Sequence, residues 1–152
     1  MKIMAALDLS DYADFVLTKA IKTALQLNAK MDIVVVAEKY TDDSDSAEAE
    51  QVDEKLLEDA AHAALSYRQK ALARGVKAKT RVLSGDSAAE EIIKYQQSEN
   101  LDLIVIGRRS HPRRESFPMG AVARRVAAYA TCTVMVVRCM DTPTPSTCLQ
   151  AL

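Results

Sequence analysis

The sequence predicts an α/β fold, a three-layer α/β/α sandwich built on a parallel sheet. Two observations predict it. Short apolar, β-branched runs alternate along the chain with longer segments whose apolar residues recur at helical spacing. Two of these runs, MDIVVVA at 31–37 and LDLIVI at 101–106, show little alternation, which is typical of strands covered on both faces. We therefore expect right-handed βαβ units with helices on both sides of the sheet.

The first half of the chain is predicted to hold two strands and two helices. Residues 2–7 form a short apolar strand, and helical spacing predicts a helix over 12–27 before the strand at 31–37. The acidic stretch that follows is too polar to pack, so we expect a solvated loop and then a long helix over 48–74 that Gly75 stops. The predicted apolar stripes are Tyr12, Val16, Ala20, Thr23, Ala24 and Leu27 in the first helix and Leu57, Ala60, Ala64, Tyr67 and Ala71 in the second.

The second half is predicted to hold three strands and two helices. Residues 77–83 are more polar than the other runs and are suited to a strand at a sheet edge. A capping box, Ser-Ala-Ala-Glu at 87–90, predicts a helix that ends near residue 99. The strand at 101–106 is followed by a loop, a helix over 120–130 and a last strand over 133–138.

Composition and charge indicate one domain with an uneven charge distribution. Hydrophobic residues make up 49% and charged residues 27% of the 152 residues, as in a soluble globular protein. We expect a domain over 1–140 and a loose tail over 141–152, because the tail has two prolines and no periodicity. Residues 41–59 carry nine acidic side chains and one lysine, whereas 108–125 carry six arginines and one glutamate. The basic segment is expected to favour an anionic ligand or partner.

Several classes of protein are excluded by what the sequence lacks. Asp8 and Asp11 interrupt the apolar start before it reaches the length of a secretory signal, and no apolar run approaches a membrane span. The three cysteines match neither a zinc site nor a redox motif. Signatures of P-loop NTPases, dinucleotide-binding dehydrogenases, serine hydrolases and zinc proteases are missing. We therefore expect a cytoplasmic protein that is not an enzyme and has no membrane or nucleic-acid partner.

The loop after the fourth predicted strand carries the clearest functional signal. Gly107 is followed after two residues by Ser110, and after nine more residues by Gly120 and Ala121. Members of the universal stress protein family that bind ATP have Gly, two residues, Gly, nine residues, then Gly and Ser or Thr at this place. The loop resembles theirs in its spacing and in two of the four anchors. The segments KIMAALDLS, LSGDSAAEEII and LDLIVIG also resemble that family, so the resemblance covers nearly the whole chain.

The resemblance implies a fold, a ligand and a partner. The fold is a five-stranded parallel sheet of order 3-2-1-4-5, of the adenine nucleotide alpha hydrolase-like type. The ligand is ATP or a related adenine nucleotide, with or without Mg²⁺, bound in a regulatory role with slow or no hydrolysis. The partner is a second copy paired through the fifth strand, an apolar edge that invites association. The alternative is that the carboxyl-terminal tail folds over this edge. The residues carried over as cofactor contacts are Ala6, Leu7, Asp8, Val36, Ile106, Gly107, Arg108, Arg109, Ser110, Gly120, Ala121 and Val122.

The physical chemistry of this loop favours the binding of a phosphate group. The loop also departs from the family pattern at two positions. Glycines let backbone N–H groups approach an anion, and a helix that begins at Gly120 adds unsatisfied donors and the positive end of its dipole. Ser110 has a Cβ where the family has glycine, which costs on the order of 1 kcal/mol if that position needs a positive φ. Ala121 has no hydroxyl to offer a phosphate oxygen, although its N–H remains.

Alternative interpretations stay open for the same residues. Asp8 is also suited to capping the following helix, and the two loop glycines to relieving turn strain. The arginines are also consistent with a solvated loop. The alternative function is a universal stress protein that binds no nucleotide and acts through protein–protein contacts made by its acidic and basic segments.

Overall fold

The computed structural model describes residues 1–39, 47–108 and 119–138, with the backbone alone described at 47 and 48. Five strands alternate with four helices in these ranges, and every predicted bound lies within two residues of the observed one. The elements in chain order are β1 (Lys2–Leu7), α1 (Ala13–Gln26), β2 (Lys30–Glu38), α2 (Ala47–Ala73), β3 (Ala78–Gly85), α3 (Ala88–Glu99), β4 (Leu103–Gly107), α4 (Ala121–Tyr129) and β5 (Thr133–Val137).

The strands form one parallel sheet in the order β3-β2-β1-β4-β5. β1 lies in the middle and pairs with β2 on one side and with β4 on the other, with Ala6 opposite Val34 and Ile106. The strand order reverses between β1 and β4, so a crevice is expected beyond the carboxyl ends of these two strands. The predicted fold class and strand order are confirmed.

Two hydrophobic cores cover the two faces of the sheet. Successive strand residues point to opposite faces, so Ile3 and Ala5 of β1 join the core beneath α1 and α2, whereas Met4 and Ala6 join the core beneath α3 and α4. β2 and β4 divide in the same way. This two-sided burial explains why the central strands read as continuous apolar runs in the sequence.

The first three helices end where the chain adopts a left-handed backbone. Asn28 after α1, Gly75 after α2 and Asn100 after α3 have φ values of 48°, 84° and 51°. Glycine and asparagine enter this region at the lowest cost, and helices commonly end there. The stop predicted at Gly75 is confirmed.

The apolar stripes were predicted with two errors. Leu57 of α2 is exposed, and its neighbour Leu56 packs against the core instead. Leu27, the C-cap of α1, is exposed although its backbone is still helical and its N–H donates to Thr23 O. The other α2 positions of the predicted stripe are buried. Each predicted stripe thus contains one residue that the structure exposes, Leu57 in α2 and Leu27 after α1.

The amino-terminal edge of the sheet holds a buried polar network. Asp32 is 4% exposed, and its Oδ2 accepts a hydrogen bond from the Tyr95 hydroxyl at 2.9 Å and lies 3.2 Å from Lys79 Nζ. Lys79 also donates to Glu99 at 3.2 Å. The hydrogen bond with Glu99, with a further contribution from Asp32, raises the pKa of Lys79 to about 12. Buried polar groups need partners of this kind, so the network has a structural role.

Three earlier expectations fall outside the described residues. They are the acidic loop at 41–46, most of the basic segment between 109 and 118, and the tail beyond 140, so the division into a 1–140 domain and a tail stays a prediction. None of the helices within the described ranges combines the length and apolar character needed to cross a membrane.

Candidate functional site

A cavity of about 250 Å³ lies at the carboxyl ends of β1 and β4, where the strand order reverses. Its walls come from the ends of β1, β2 and β4 and from the first turns of α1, α3 and α4. The lining residues are Ala6, Leu7, Asp8, Ser10, Tyr12, Ala13, Val16, Val36, Glu38, Ala88, Ile92, Ile106, Gly107, Arg108, Gly120, Ala121, Val122 and Ala123.

Ten of the twelve residues predicted as cofactor contacts line this cavity. The other two, Arg109 and Ser110, lie outside the described residues. Their contact with a ligand stays a prediction, but the fold brings the ten together from four separate stretches of sequence. Parallel strands all end at one edge of their sheet, and this is the physical reason why residues so distant in the chain meet here.

Sequence reasoning missed part of the lining. Glu38 and Ala88 meet at the cavity because β2 ends beside the start of α3. A polar residue at the end of a buried strand was the available signal for Glu38, since ligands of such sheets sit beyond strand ends. The first turn of α1, with Tyr12 and Ala13, was missed because an apolar stripe reads as core and not as cavity wall.

The turn after β1 is organised around Asp8. Asp8 Oδ1 accepts hydrogen bonds from Ser10 N at 3.0 Å and from Ser10 Oγ at 2.6 Å. Ser10 Oγ in turn accepts from Tyr12 N at 3.3 Å. No side chain among the described residues caps α1, whose N-cap is Tyr12. The carboxylate therefore orders the turn at the cavity and does not cap the helix directly.

The first turn of α3 is closed by acceptors from the chain itself. Glu38 Oε1 accepts a hydrogen bond from Ala88 N at 2.8 Å, and Ser87 Oγ accepts from Glu90 N at 3.5 Å. Ser87 is the N-cap, as the predicted capping box requires. A carboxylate at a helix start also interacts favourably with the positive end of the helix dipole and partly neutralises it. Two of the first three amides of α3, those of Ala88 and Glu90, therefore already have acceptors.

The first turn of α4 has no acceptor for its amides among the described residues. Its N-cap is Gly120, which has no side chain to cap with. Within the described part of the chain no group accepts a hydrogen bond from the amide N–H of Ala121, Val122 or Ala123, all of which line the cavity. Helix starts leave such donors to water or to a ligand. Among the described residues, acceptors are thus present at the start of α3 and absent at the start of α4.

One predicted donor is engaged elsewhere. Gly120 N donates to Arg108 O at 2.8 Å, and Arg108 N donates to Val137 O at 2.8 Å. These bonds join the end of β4 to the start of α4 and to the last strand. We expected the N–H of Gly120 to face an anion; the structure instead uses it to hold the two ends of the loop together, so the open donors begin at Ala121.

The charged groups around the cavity are unevenly placed. Asp8 and Glu38 line it from the β1 and β2 ends, and Arg108 lines it from the β4 end, nearest to α4. Arg125 lies further along α4, where it pairs with Glu90 at 2.8 Å. In the described ranges no group of three His, Cys, Asp or Glu side chains is placed to hold a metal ion.

Similar proteins were found in sequence and in structure. A putative universal stress protein of Staphylococcus aureus (strain USA300) is 30% identical over 142 residues, 93% of this chain and 86% of that protein. The solved structure of the universal stress protein UspA from Lactobacillus plantarum is 25% identical, with a TM-score of 0.77 over 91% of this chain and 97% of that one.

Two further solved structures of this fold contain adenine nucleotides. One is a universal stress protein in complex with cAMP, with 20% identity and a TM-score of 0.70 over 90% of this chain and 96% of the other. The second is the universal stress protein from Archaeoglobus fulgidus in complex with dAMP, with 22% identity and a TM-score of 0.60 over the same shares. At these identities the two structures establish the likeness of fold. Residues 1–138 match the Universal stress protein family, and the chain belongs to that family.

Proposed function

We propose that this protein binds an adenine nucleotide in the cavity between β1 and β4 and acts by binding, with slow or no hydrolysis. The observation that carries the proposal is the contrast between two helix starts at one cavity. α3 is closed by Glu38 and Ser87, whereas α4 presents the amides of Ala121, Val122 and Ala123. An uncapped helix start combines hydrogen-bond donors with a positive partial charge, the combination that holds phosphate.

The rest of the cavity suits a nucleoside. Val36, Ile106, Ile92 and Ala6 supply an apolar wall of the kind that buries a purine ring. Asp8 and Glu38 line the cavity from the ends of β1 and β2 and supply acceptors for hydroxyl or amino groups. A matching ligand therefore has an anionic group for the amides of α4, and a neutral part with hydrogen-bond donors for the two carboxylates. The relatives that were solved with cAMP and dAMP support adenine nucleotides as the ligand class.

ATP is the nucleotide that the loop spacing favours, with Mg²⁺ carried on its phosphates. A magnesium ion keeps most of its waters and binds through phosphates and one or two carboxylates, so no cage of protein ligands is required. The described lining residues include no His, Cys or Lys to act as base, and the hydroxyl of the lining Ser10 donates to Asp8 within the β1–α1 turn. This supports binding without rapid turnover.

We also propose that the protein is a homodimer paired through β5. Among the described strands β5 pairs only with β4, which leaves its outer edge unpaired. Val134 and Val136 are partly buried, and Met135 is 37% exposed on the other face. An apolar edge strand is protected when a twofold partner covers it.

Calorimetric titration with ATP and Mg²⁺ tests the ligand proposal. Gly120 has φ −63° and ψ 156°, values that any residue adopts, so Gly120→Asp is expected to fold and to cap α4 with a negative charge. Binding should then fall by at least tenfold, because the new carboxylate competes for the amides and repels phosphate. Gly120→Asn has the same size without the charge and should lose less. Wild-type protein that gives no heat with ATP, AMP or cAMP would refute the proposal and favour the protein-contact alternative.

A further inference from the structure

Tyr67 connects the long helix α2 to the turn that carries Asp8. Its side chain is 8% exposed, and its hydroxyl donates a hydrogen bond to the backbone carbonyl of Asp8 at 2.8 Å. The two residues are 59 positions apart in sequence. Tyr67 does not line the cavity, so any influence it has on a ligand passes through Asp8.

The bond acts on the peptide that orients the Asp8 side chain. The Asp8 carboxylate already holds Ser10 through two hydrogen bonds, and Ser10 Oγ holds Tyr12 N at the start of α1. Tyr67 holds the backbone carbonyl of the same residue from α2. With both its carboxylate and its carbonyl engaged, Asp8 has little freedom to rotate about its backbone. A pre-ordered group loses less entropy when a ligand binds.

We propose that Tyr67 is a positioning residue of the nucleotide site, which holds the β1–α1 turn in its binding conformation through the carbonyl of Asp8. The inference rests on the proposed function for its ligand. The site therefore extends beyond the strand ends and the loop after β4, because α2 contributes the hydroxyl of Tyr67, which does not itself line the cavity. Removing that hydroxyl leaves the peptide of Asp8 free to rotate and displaces the carboxylate at the cavity wall.

The chain supplies a matched control at the other end of the sheet. Tyr95 is also 8% exposed, and its hydroxyl donates to Asp32 at 2.9 Å. Neither Tyr95 nor Asp32 lines the cavity. Tyr67→Phe and Tyr95→Phe each remove one buried phenolic hydrogen bond and create no large cavity. A purely structural role predicts the same behaviour from both variants.

Two measurements distinguish positioning from general stabilisation. The first is amide hydrogen exchange without nucleotide, followed at Ser10 and Tyr12. Tyr67→Phe should speed exchange at these amides by about three- to tenfold relative to Tyr95→Phe, the range that one neutral hydrogen bond represents. The second is calorimetry with ATP, in which Tyr67→Phe should weaken binding by a similar factor and Tyr95→Phe should bind as the wild type does. Thermal melting should show a loss in both variants, and the larger loss in Tyr95→Phe, because the partner of Tyr95 is a buried carboxylate.

Each outcome supports or overturns the inference. Unchanged exchange at Ser10 and Tyr12 in Tyr67→Phe would overturn it, whatever the nucleotide does. Faster exchange with unchanged affinity would also overturn it, because the turn would then be held without benefit to the site. Failure of the proposed function is recognised separately, since a wild-type chain that binds no nucleotide shows it before any variant is compared.

Discussion

Replacing Ala121 by serine is expected to strengthen nucleotide binding. Ala121 is the first residue of α4, its side chain is exposed, and it lines the cavity beside the open amides. The related ATP-binding pattern has Ser or Thr at this position. A serine hydroxyl here can donate to the phosphate that the amides of α4 are proposed to hold, and its exposure means that no buried polar group is created in the free protein.

The size of the effect follows from one added hydrogen bond. A hydrogen bond to a charged group contributes about 1.5–3 kcal/mol net. Since about 1.4 kcal/mol corresponds to a tenfold change in affinity, Ala121→Ser should bind ATP about ten- to hundredfold more tightly. The helix cost of serine relative to alanine is below about 0.7 kcal/mol and lowers stability, not affinity.

Isothermal titration with ATP and with adenosine isolates the phosphate contribution. Ala121→Ser should gain affinity for ATP and bind adenosine as the wild type does. Ala127→Ser is the matched control, because residue 127 is exposed on the same helix and does not line the cavity. The reasoning would be refuted if ATP affinity did not change in Ala121→Ser, or if adenosine affinity rose by the same factor.

Two further predictions concern assembly and pH. Met135→Lys should convert a dimer to a monomer in light scattering at micromolar concentration, since a lysine on an exposed edge strand opposes strand pairing; a monomeric wild type would contradict the dimer proposal. Burial, with smaller contributions from Asp14 and Asp8, raises the pKa of Tyr67 from 10.0 to about 12. The folded state holds this proton more tightly than the unfolded state, so the stabilisation is complete below pH 10 and is lost as pH rises through 12. Denaturant unfolding across pH 10–12 should therefore show a shallower fall in stability for Tyr67→Phe than for the wild type, and equal slopes would contradict the assignment.

The fold was predictable because its signals are local and repeated. Runs such as 31–37 are apolar throughout because the sheet is covered on both faces, and Gly75 stops α2 where a left-handed backbone is needed. The errors in the buried stripes occurred where the helical spacing of apolar residues is least well defined. Leu57 lies beside Leu56 near the start of a long, weakly amphipathic helix, and spacing alone did not determine which leucine faces the core.

Most of the described cavity lining was predictable from the sequence, but its hydrogen bonds were not. The spacing of Gly107 and Gly120 indicated that two chain segments meet at one anion, and both glycines line the cavity. The use of Gly120 N–H to bind Arg108 O was not predictable, because it depends on how the loop closes. The closure of α3 by Glu38 was missed for a similar reason, since the partner of its carboxylate, Ala88, is 50 residues away.

The sequence by itself determined the order of strands and helices, the family and the segments that surround the cavity. Each of these depends on periodicity, turn residues or motif spacing, which act over short stretches of chain. Only the tertiary structure decided which backbone donors stay open. Among the described residues, Glu38 accepts a hydrogen bond from Ala88 N, whereas no group accepts one from Ala121 N, because the N-cap of α4 is a glycine. Hydrogen bonds are satisfied by proximity in space, and proximity between residues 50 or more positions apart arises only when the whole sheet has formed.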